Sequence, residues 1–165
     1  GTLIIYRELY QKGLTGVDLG ERITQMELGD PYSVQGVLDT AAWARTGTTG
    51  PTVGESLVRA GHKLRRADKN RIQGKIQIHE YLKVQQSGRP RLQILNTCPN
   101  LIRELQSIPL DRSNPEDVDT HAPDHAYDAL RYLIMSRPRI QDSFSRIRNL
   151  HLEQAYTPAD SDFGY

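Results

Sequence analysis

The stretch DHAYDALRYLI, residues 124–134, predicts a helix that buries one face and carries two aspartates near its start. Its apolar residues recur at helical spacing and form the expected buried side: Ala129, Leu130, Leu133 and Ile134. Asp124 and Asp128 are four residues apart, so their side chains share one face of the helix, roughly 5–6 Å apart at Cβ. Two like charges at that distance repel each other, and the repulsion calls for an explanation.

Two explanations for the aspartates stay open at this point. Acidic residues favour helix starts because they complement the positive end of the helix dipole. Alternatively, a hard divalent cation such as Mg²⁺ or Mn²⁺ takes carboxylate oxygens as ligands and reverses the sign of the interaction.

Upstream and downstream of this helix, strand and helix patterns alternate along the chain. We predict three strands (2–9, 32–39 and 91–96) and five helices (15–28, 52–61, about 68–84, 97–108 and 124–136), with an irregular acidic loop at 109–123. This order predicts an α/β layered domain with at least partly parallel strand pairing. We assign residues 1–138 to that domain and residues 139–165 to a C-terminal helix or tail, a candidate docking segment.

Finer details of these elements are also predicted. Thr15 and Thr52 are expected to cap the first two helices, and Thr97 the fourth. The third helix is expected to turn a small apolar set inward, namely Ile72, Ile76 and either His79 or Leu82. The third strand is expected to face inward with Leu92, Ile94 and Leu95.

Composition narrows the class of protein. The 165 residues suggest one domain, and the net charge of +1 says little about partners. Cys98 is the single cysteine, which excludes an intrachain disulfide and a thiolate metal cluster. The sequence shows neither a signal-peptide pattern nor an apolar run of membrane-spanning length, so we expect an intracellular protein. Because the chain opens on Gly1, we also expect a piece of a longer protein.

The distribution of charge is more informative than its total. Residues 59–91 contain ten Lys and Arg residues against two acids, Asp68 and Glu80. The ordinary explanation of such a run is a solvated helix face. A one-sided positive surface also suits a phosphate backbone, and we favour binding of a polyanion.

Asp39 is a further candidate, because it ends a strand that reads as buried. In open α/β sheets, ligands bind beyond the carboxyl ends of the strands, and a carboxylate there is well placed for function. The alternative is structural: Asp39 opens a loop or caps a short helix through TAAW, residues 40–43.

The segment DHAYDALRYLI resembles the late helix of the nuclease domain in large terminase subunits, the motors that package DNA into tailed bacteriophages. Other segments are similar to the same family in the same order, so that the resemblance covers roughly residues 2–138: VQGVLDTAAWARTGTTGPTVGESLVRAG (34–61), RADKNRIQGKIQIHEYL (66–82), LQILNTCPNLIRELQSI (92–108) and NPEDVDT (114–120).

The resemblance implies an RNase H-like fold, with a mixed sheet flanked by helices, and a nuclease centre with two Mg²⁺ or Mn²⁺ ions. On this basis Asp39 and Asp128 match the family's metal-binding acids, and Asp124 is an auxiliary ligand. The family's first acid lies upstream of the segment that residues 2–9 resemble. We therefore expect this chain to lack the first strand or strands of the sheet and one metal ligand, which leaves the activity of the piece open.

The implied function is cleavage of concatemeric double-stranded DNA when packaging starts and ends. The implied partners are that DNA, the ATPase domain of the same polypeptide, the portal and the small terminase subunit, in the host cytoplasm and without a membrane. The residues expected to guide DNA are basic: Lys63, Arg65, Arg66, Lys69, Arg71 and Lys75. The alternatives are a non-catalytic DNA-binding or portal-docking module on an RNase H-like scaffold, and a resolvase-like or integrase-like nuclease.

Overall fold

The computed structural model describes residues 1–31, 34–45 and 50–137, so the predicted tail at 139–165 lies outside the described residues. Helices and strands alternate, and the predicted α/β class is confirmed. No helix in these three ranges is both long and apolar enough to span a membrane. The elements are β1 (Leu3–Ile5), α1 (Gly16–Glu27), β2 (Gln35–Leu38), a 3₁₀ helix (Thr40–Trp43), α2 (Val53–Arg59), β3 (Lys63–Arg66), α3 (Arg71–Leu82), β4 (Leu92–Ile94), α4 (Pro99–Ser107) and α5 (His125–Met135).

The strands form two separate parallel pairs. In one pair β1 lies beside β4, with Leu3 opposite Leu92, and in the other β2 lies beside β3, with Leu38 opposite Arg66. Parallel pairing is therefore confirmed. The single mixed sheet that the resemblance implies is not formed among the described residues, where each sheet has two strands.

Strand β3 was not predicted, because its sequence KLRR has three cationic residues and a single apolar one, Leu64. It forms through its backbone, which pairs with β2 over the whole of both strands. The expected helix at 68–84 accordingly begins later, at Arg71. Asn70 caps it, since the Asn70 side chain accepts a hydrogen bond from the backbone N–H of Gln73 at 3.0 Å.

Two of the three predicted helix caps are confirmed. Thr15 and Thr52 both form complete capping boxes, as predicted. Thr97 does not cap α4, because its hydroxyl donates to the carbonyl of Tyr6 at 2.7 Å. The first N–H groups of α4 instead donate to the carboxylate of Glu8, at 2.8 and 3.0 Å. A side chain from another element satisfies them, which local spacing does not reveal.

The core lies between α3, α4, α5 and the β1–β4 pair, and its buried members are Ile78, Leu92, Cys98, Leu101, Val118, Tyr127, Leu130 and Ile134. The predicted inward face of α3 is wrong, because Ile72, Ile76, His79 and Leu82 all stay outside this buried core. The buried residues of α3 are Gly74 and Ile78, one helical turn apart, because the helix packs against α5 along that line.

Three further boundaries or faces differ from the sequence prediction. The first strand is confined to Leu3–Ile5, within the predicted 2–9, because only this part pairs with β4. Leu95 is exposed, since it follows the end of β4. In α5, Leu130 and Ile134 are buried as predicted, whereas Leu133 is only partly buried and Ala129 is exposed.

The start of α5 is held by a buried carboxylate from α4. Glu104 is 1% exposed, and its Oε2 accepts hydrogen bonds from the backbone N–H groups of Ala126 at 2.7 Å and Tyr127 at 3.0 Å. Asp124, although it precedes the helix, makes no side-chain capping bond. Glu104 therefore does the capping that the sequence suggests for Asp124.

Replacing Glu104 by Gln is expected to lower the free energy of unfolding by about 1–3 kcal/mol, because one buried and one partly buried backbone N–H group lose a charged acceptor. Urea denaturation followed by circular dichroism measures the change. Glu80→Gln, at an exposed carboxylate of α3, is the matched control and should change stability by less than about 0.5 kcal/mol. Equal stability of the two variants would contradict the capping role of Glu104.

Candidate metal site and basic surface

Asp39 follows β2 directly and begins the 3₁₀ helix. Its Oδ1 accepts a hydrogen bond from the backbone N–H of Ala41 at 2.7 Å, so the capping explanation is confirmed. The same carboxylate has a second set of contacts: Lys69 Nζ lies 3.3 Å from Oδ1, and the hydroxyl of Tyr132 donates to Oδ2. Capping the short helix therefore uses only part of its binding capacity.

These contacts stabilise the ionised form of Asp39. The backbone N–H of Ala41, followed by the hydroxyl of Tyr132, lowers the pKa of Asp39 to about 2, and Lys69 adds to the effect against the opposing influence of burial. Burial and the hydrogen bond to Asp39 raise the pKa of Tyr132 above its ordinary value. At neutral pH a carboxylate thus faces a protonated phenol.

Asp128 lies in the first turn of α5, among donors from three side chains. Arg131 contacts its Oδ1 with Nε at 3.0 Å and Nη2 at 2.9 Å. Its Oδ2 faces the Tyr132 hydroxyl at 3.4 Å and Arg71 Nη1 at 3.7 Å. The hydroxyl of Tyr132 is thereby shared by Asp128 and Asp39, two predicted site residues that are far apart in sequence.

Asp124 is joined to Asp128 through Arg71. Arg71 Nη1 lies 4.0 Å from Asp124 Oδ2, while the Asp124 side chain is only 14% exposed. Burial, followed by the neighbouring charge of Asp128, raises the pKa of Asp124. The structure therefore offsets the repulsion between the two aspartates with a guanidinium group.

Arg71 is directed toward the interior of the site. Its Nε donates to Asp117 Oδ2 at 2.8 Å, and its Nη2 donates to the carbonyl of Val118 at 3.3 Å. Together with Asp124 and Asp128, these contacts surround the guanidinium with acceptors. Its expected contact with DNA stays a prediction, and the observed role is that of an internal counterion.

Arg131 is a member of the site that sequence reasoning missed. It is 1% exposed, and its guanidinium lies 4.5 Å from the centroid of the Tyr132 ring. A Cβ on Gly74 would lie 2.4 Å from Arg131 Cγ and 2.7 Å from Cδ, so the glycine leaves the room that the arginine fills. A glycine inside an otherwise regular helix, as in IQGKIQ (72–77), is the sequence signal that could have indicated this close approach.

The other basic residues expected to guide DNA lie in two places: three are on β3, and two, Lys69 and Lys75, lie near the aspartates or the loop before α5. Lys63, Arg65 and Arg66 are exposed on β3, where Lys63 and Arg65 lie on the same face of the strand. Lys69 contacts Asp39, as described above, and Lys75 donates to the carbonyl of Pro115 at 3.1 Å. Of the six basic residues expected to guide DNA, four are exposed, and three of these lie on β3, the strand that pairs with β2.

The carboxylates of Asp39 and Asp128 supply some of the oxygen ligands that a hard cation needs. Within the described ranges, no three side chains of the His, Cys, Asp and Glu types group closely enough to hold a metal ion. Asp39 and Asp128 nevertheless converge on one hydroxyl. Mg²⁺ is commonly bound through one or two carboxylates together with waters and substrate phosphates. The two carboxylates fit such an ion, and the ion itself stays a prediction.

Comparison of the chain with protein-family models, with curated proteins and with solved structures found no match. The resemblance to terminase nuclease domains is thus neither supported nor opposed by these comparisons.

The low pKa of Asp39 predicts a pH-dependent contribution to stability. Because the folded-state pKa is about 2, the ionised carboxylate stabilises the fold above about pH 4, and the contribution is lost as the pH falls through about 2. Asp39→Asn is expected to lower the free energy of unfolding at pH 7 by on the order of 1 kcal/mol, a figure reduced for partial exposure.

The measurement is urea denaturation of both proteins between pH 7 and pH 2, without divalent metal. The difference between Asp39→Asn and the parent protein should shrink toward zero at the acid end. A difference that stays constant over the whole range would show that the hydrogen bonds of the ionised Asp39 do not contribute.

Proposed function

We propose that this chain is an RNase H-like nuclease domain of a bacteriophage terminase large subunit. In the complete protein it cuts concatemeric double-stranded DNA at the start and end of packaging, in the host cytoplasm. The observation that carries the proposal is the convergence of Asp39 and Asp128 on the hydroxyl of Tyr132. Asp39 and Asp128 are the two acids that the resemblance assigns to the nuclease centre.

In this proposal Asp39 and Asp128 hold Mg²⁺ or Mn²⁺, and Asp124 is an auxiliary ligand. A divalent ion held by these carboxylates would supply the chemistry that activates a water molecule and stabilises the leaving oxygen of a phosphodiester. Asp39 is ready to bind a cation because it is ionised at neutral pH. Lys69, whose Nζ lies 3.3 Å from Asp39, places a positive charge where a DNA phosphate would approach.

The exposed charges of β3 support binding of the substrate. Arg65 and Arg66 lie opposite Val37 and Leu38, at the end of β2 that leads to Asp39, whereas Lys63 lies opposite Gln35 at the start of that strand. Contacts of this kind go to phosphates and carry little sequence information. We therefore expect double-stranded DNA to be bound with little preference for sequence.

In the complete protein, Asp128→Asn is expected to abolish metal-dependent cleavage, because the substitution replaces a carboxylate ligand with a neutral amide of the same shape. Plasmid cleavage is measured with Mn²⁺, with Mg²⁺ and with EDTA, alongside circular dichroism to verify the fold. Glu21→Gln, at an exposed carboxylate of α1, is the matched control and should cut like the parent protein. Retained cutting by Asp128→Asn would remove this residue from the site.

Arg65→Gln is expected to weaken DNA binding without altering metal dependence. Removing one phosphate contact should reduce the slope of log K against log salt by about 0.9 for duplex DNA. Fluorescence anisotropy with a labelled duplex at several salt concentrations measures this slope. Arg22→Gln, at an exposed arginine of α1 outside the basic run, is the control, and an equal loss in both variants would place the DNA elsewhere.

The second candidate function is a non-catalytic DNA-binding or portal-docking module on the same scaffold. It is favoured by the internal ion pairs of the site: Asp39 faces Lys69, and Asp128 faces Arg71 and Arg131. Carboxylates that are already neutralised by cationic side chains serve a structural purpose without a metal. Salt-dependent DNA binding in the absence of divalent-dependent cleavage would support this alternative over the nuclease.

A further inference from the structure

We propose that Tyr132 is a positioning residue, whose hydroxyl holds Asp39 and Asp128 in register for a shared divalent cation. The inference depends on the proposed nuclease function and deepens it by assigning a role to a residue outside the metal ligands. Tyr132 is expected to act through the two carboxylates, without itself binding the metal.

The hydroxyl of Tyr132 touches both halves of the site. It donates to Oδ2 of Asp39, and it lies 3.4 Å from Oδ2 of Asp128. Asp39 directly follows β2, whereas Asp128 and Tyr132 are one turn apart on α5. The contact therefore ties the helix that carries one acid to the strand that presents the other.

The position of the phenol is itself fixed by packing. Tyr132 is 7% exposed, and the guanidinium of Arg131 lies 4.5 Å from its ring centroid. Arg131 is buried in turn, and it is held by Asp128 and by the close approach of Gly74. A buried ring with a charged group over it has little freedom to turn, so its hydroxyl stays between the two carboxylates.

Without the hydroxyl of Tyr132, the carboxylates of Asp39 and Asp128 are expected to move apart. The two negative charges repel each other, and each carboxylate keeps hydrogen-bond or ion-pair partners that the other carboxylate does not share. Asp39 keeps the backbone N–H of Ala41 and the ammonium of Lys69, while Asp128 keeps Arg131. A cation that binds both acids would then have to draw them together, and its affinity would fall by the cost of that rearrangement. Outer-sphere partners of metal ligands commonly change affinity or activity by about 10–100-fold.

Tyr132→Phe tests the inference, because it removes one oxygen atom and keeps the buried ring. The matched control is Tyr127→Phe, which removes the same atom from another buried tyrosine of α5. Binding of Mn²⁺ is measured by electron paramagnetic resonance of the free ion, and the half-saturating Mn²⁺ concentration is measured by plasmid cleavage. Circular dichroism and thermal unfolding report on the fold.

We expect Tyr132→Phe to fold, to bind Mn²⁺ about tenfold more weakly and to need a correspondingly higher concentration for cleavage. Tyr127→Phe should match the parent protein in both assays. In an Asp39→Asn background, the same Tyr132 substitution should have little further effect on Mn²⁺ binding, because the carboxylate that it positions has already been removed.

Three results would overturn the inference while leaving the nuclease proposal intact. They are unchanged Mn²⁺ binding in Tyr132→Phe, an equal loss in Tyr127→Phe, and failure of Tyr132→Phe to fold, which would make the hydroxyl a structural group. A complete parent protein, extended upstream by the expected missing strands, that neither binds Mn²⁺ nor cuts DNA would overturn the nuclease proposal and the inference together. The behaviour of the parent protein therefore distinguishes the two failures.

Discussion

The arrangement around Asp39 and Asp128 depends on a single close approach, that of the Arg131 side chain to Gly74. Any larger residue at position 74 would occupy the space of the arginine, so α3 and α5 can pack in this manner only with glycine there. Arg131 then contacts Asp128 and covers the ring of Tyr132. Packing between two helices thus decides where a carboxylate and a phenol meet the end of β2.

Charge balance at the site explains how two aspartates can begin one helix. The guanidinium of Arg71 lies near both Asp124 and Asp128, and it is held there by Asp117. At an effective dielectric constant of about 20, opposite charges about 4 Å apart attract by about 4 kcal/mol before the cost of desolvation is subtracted. Arg71 thus supplies a positive charge between the two aspartates, and a divalent ion would have to compete with it or add to it.

The features that could be predicted from the sequence are those that depend on interactions between residues close together in the chain. The capping boxes at Thr15 and Thr52 and the cap formed by Asp39 could be predicted, because each depends on neighbours within four residues. The helix beginning near Asp124 was predicted from its apolar spacing, but the group that caps it, Glu104 of α4, was not. Strand β3 was not predicted either, because its side chains are charged and its stability comes from pairing with β2. The contact of Tyr132 with Asp39 joins residues 93 positions apart, and no local pattern encodes it.

The register of the two parallel pairs has a consequence for the order in which the chain can fold during synthesis. Strands β2 and β3 are close in sequence, since Gln35 pairs with Lys63, so this pair can form early, with Asp39 at its end. Strand β1 cannot pair until β4 has been synthesised, because Leu3 pairs with Leu92. At about 5–20 residues per second, the ribosome takes roughly 4–18 s to travel between them. During that interval the apolar edge of β1 is open to other nascent chains, and a chaperone that recognises short apolar strands would find it there.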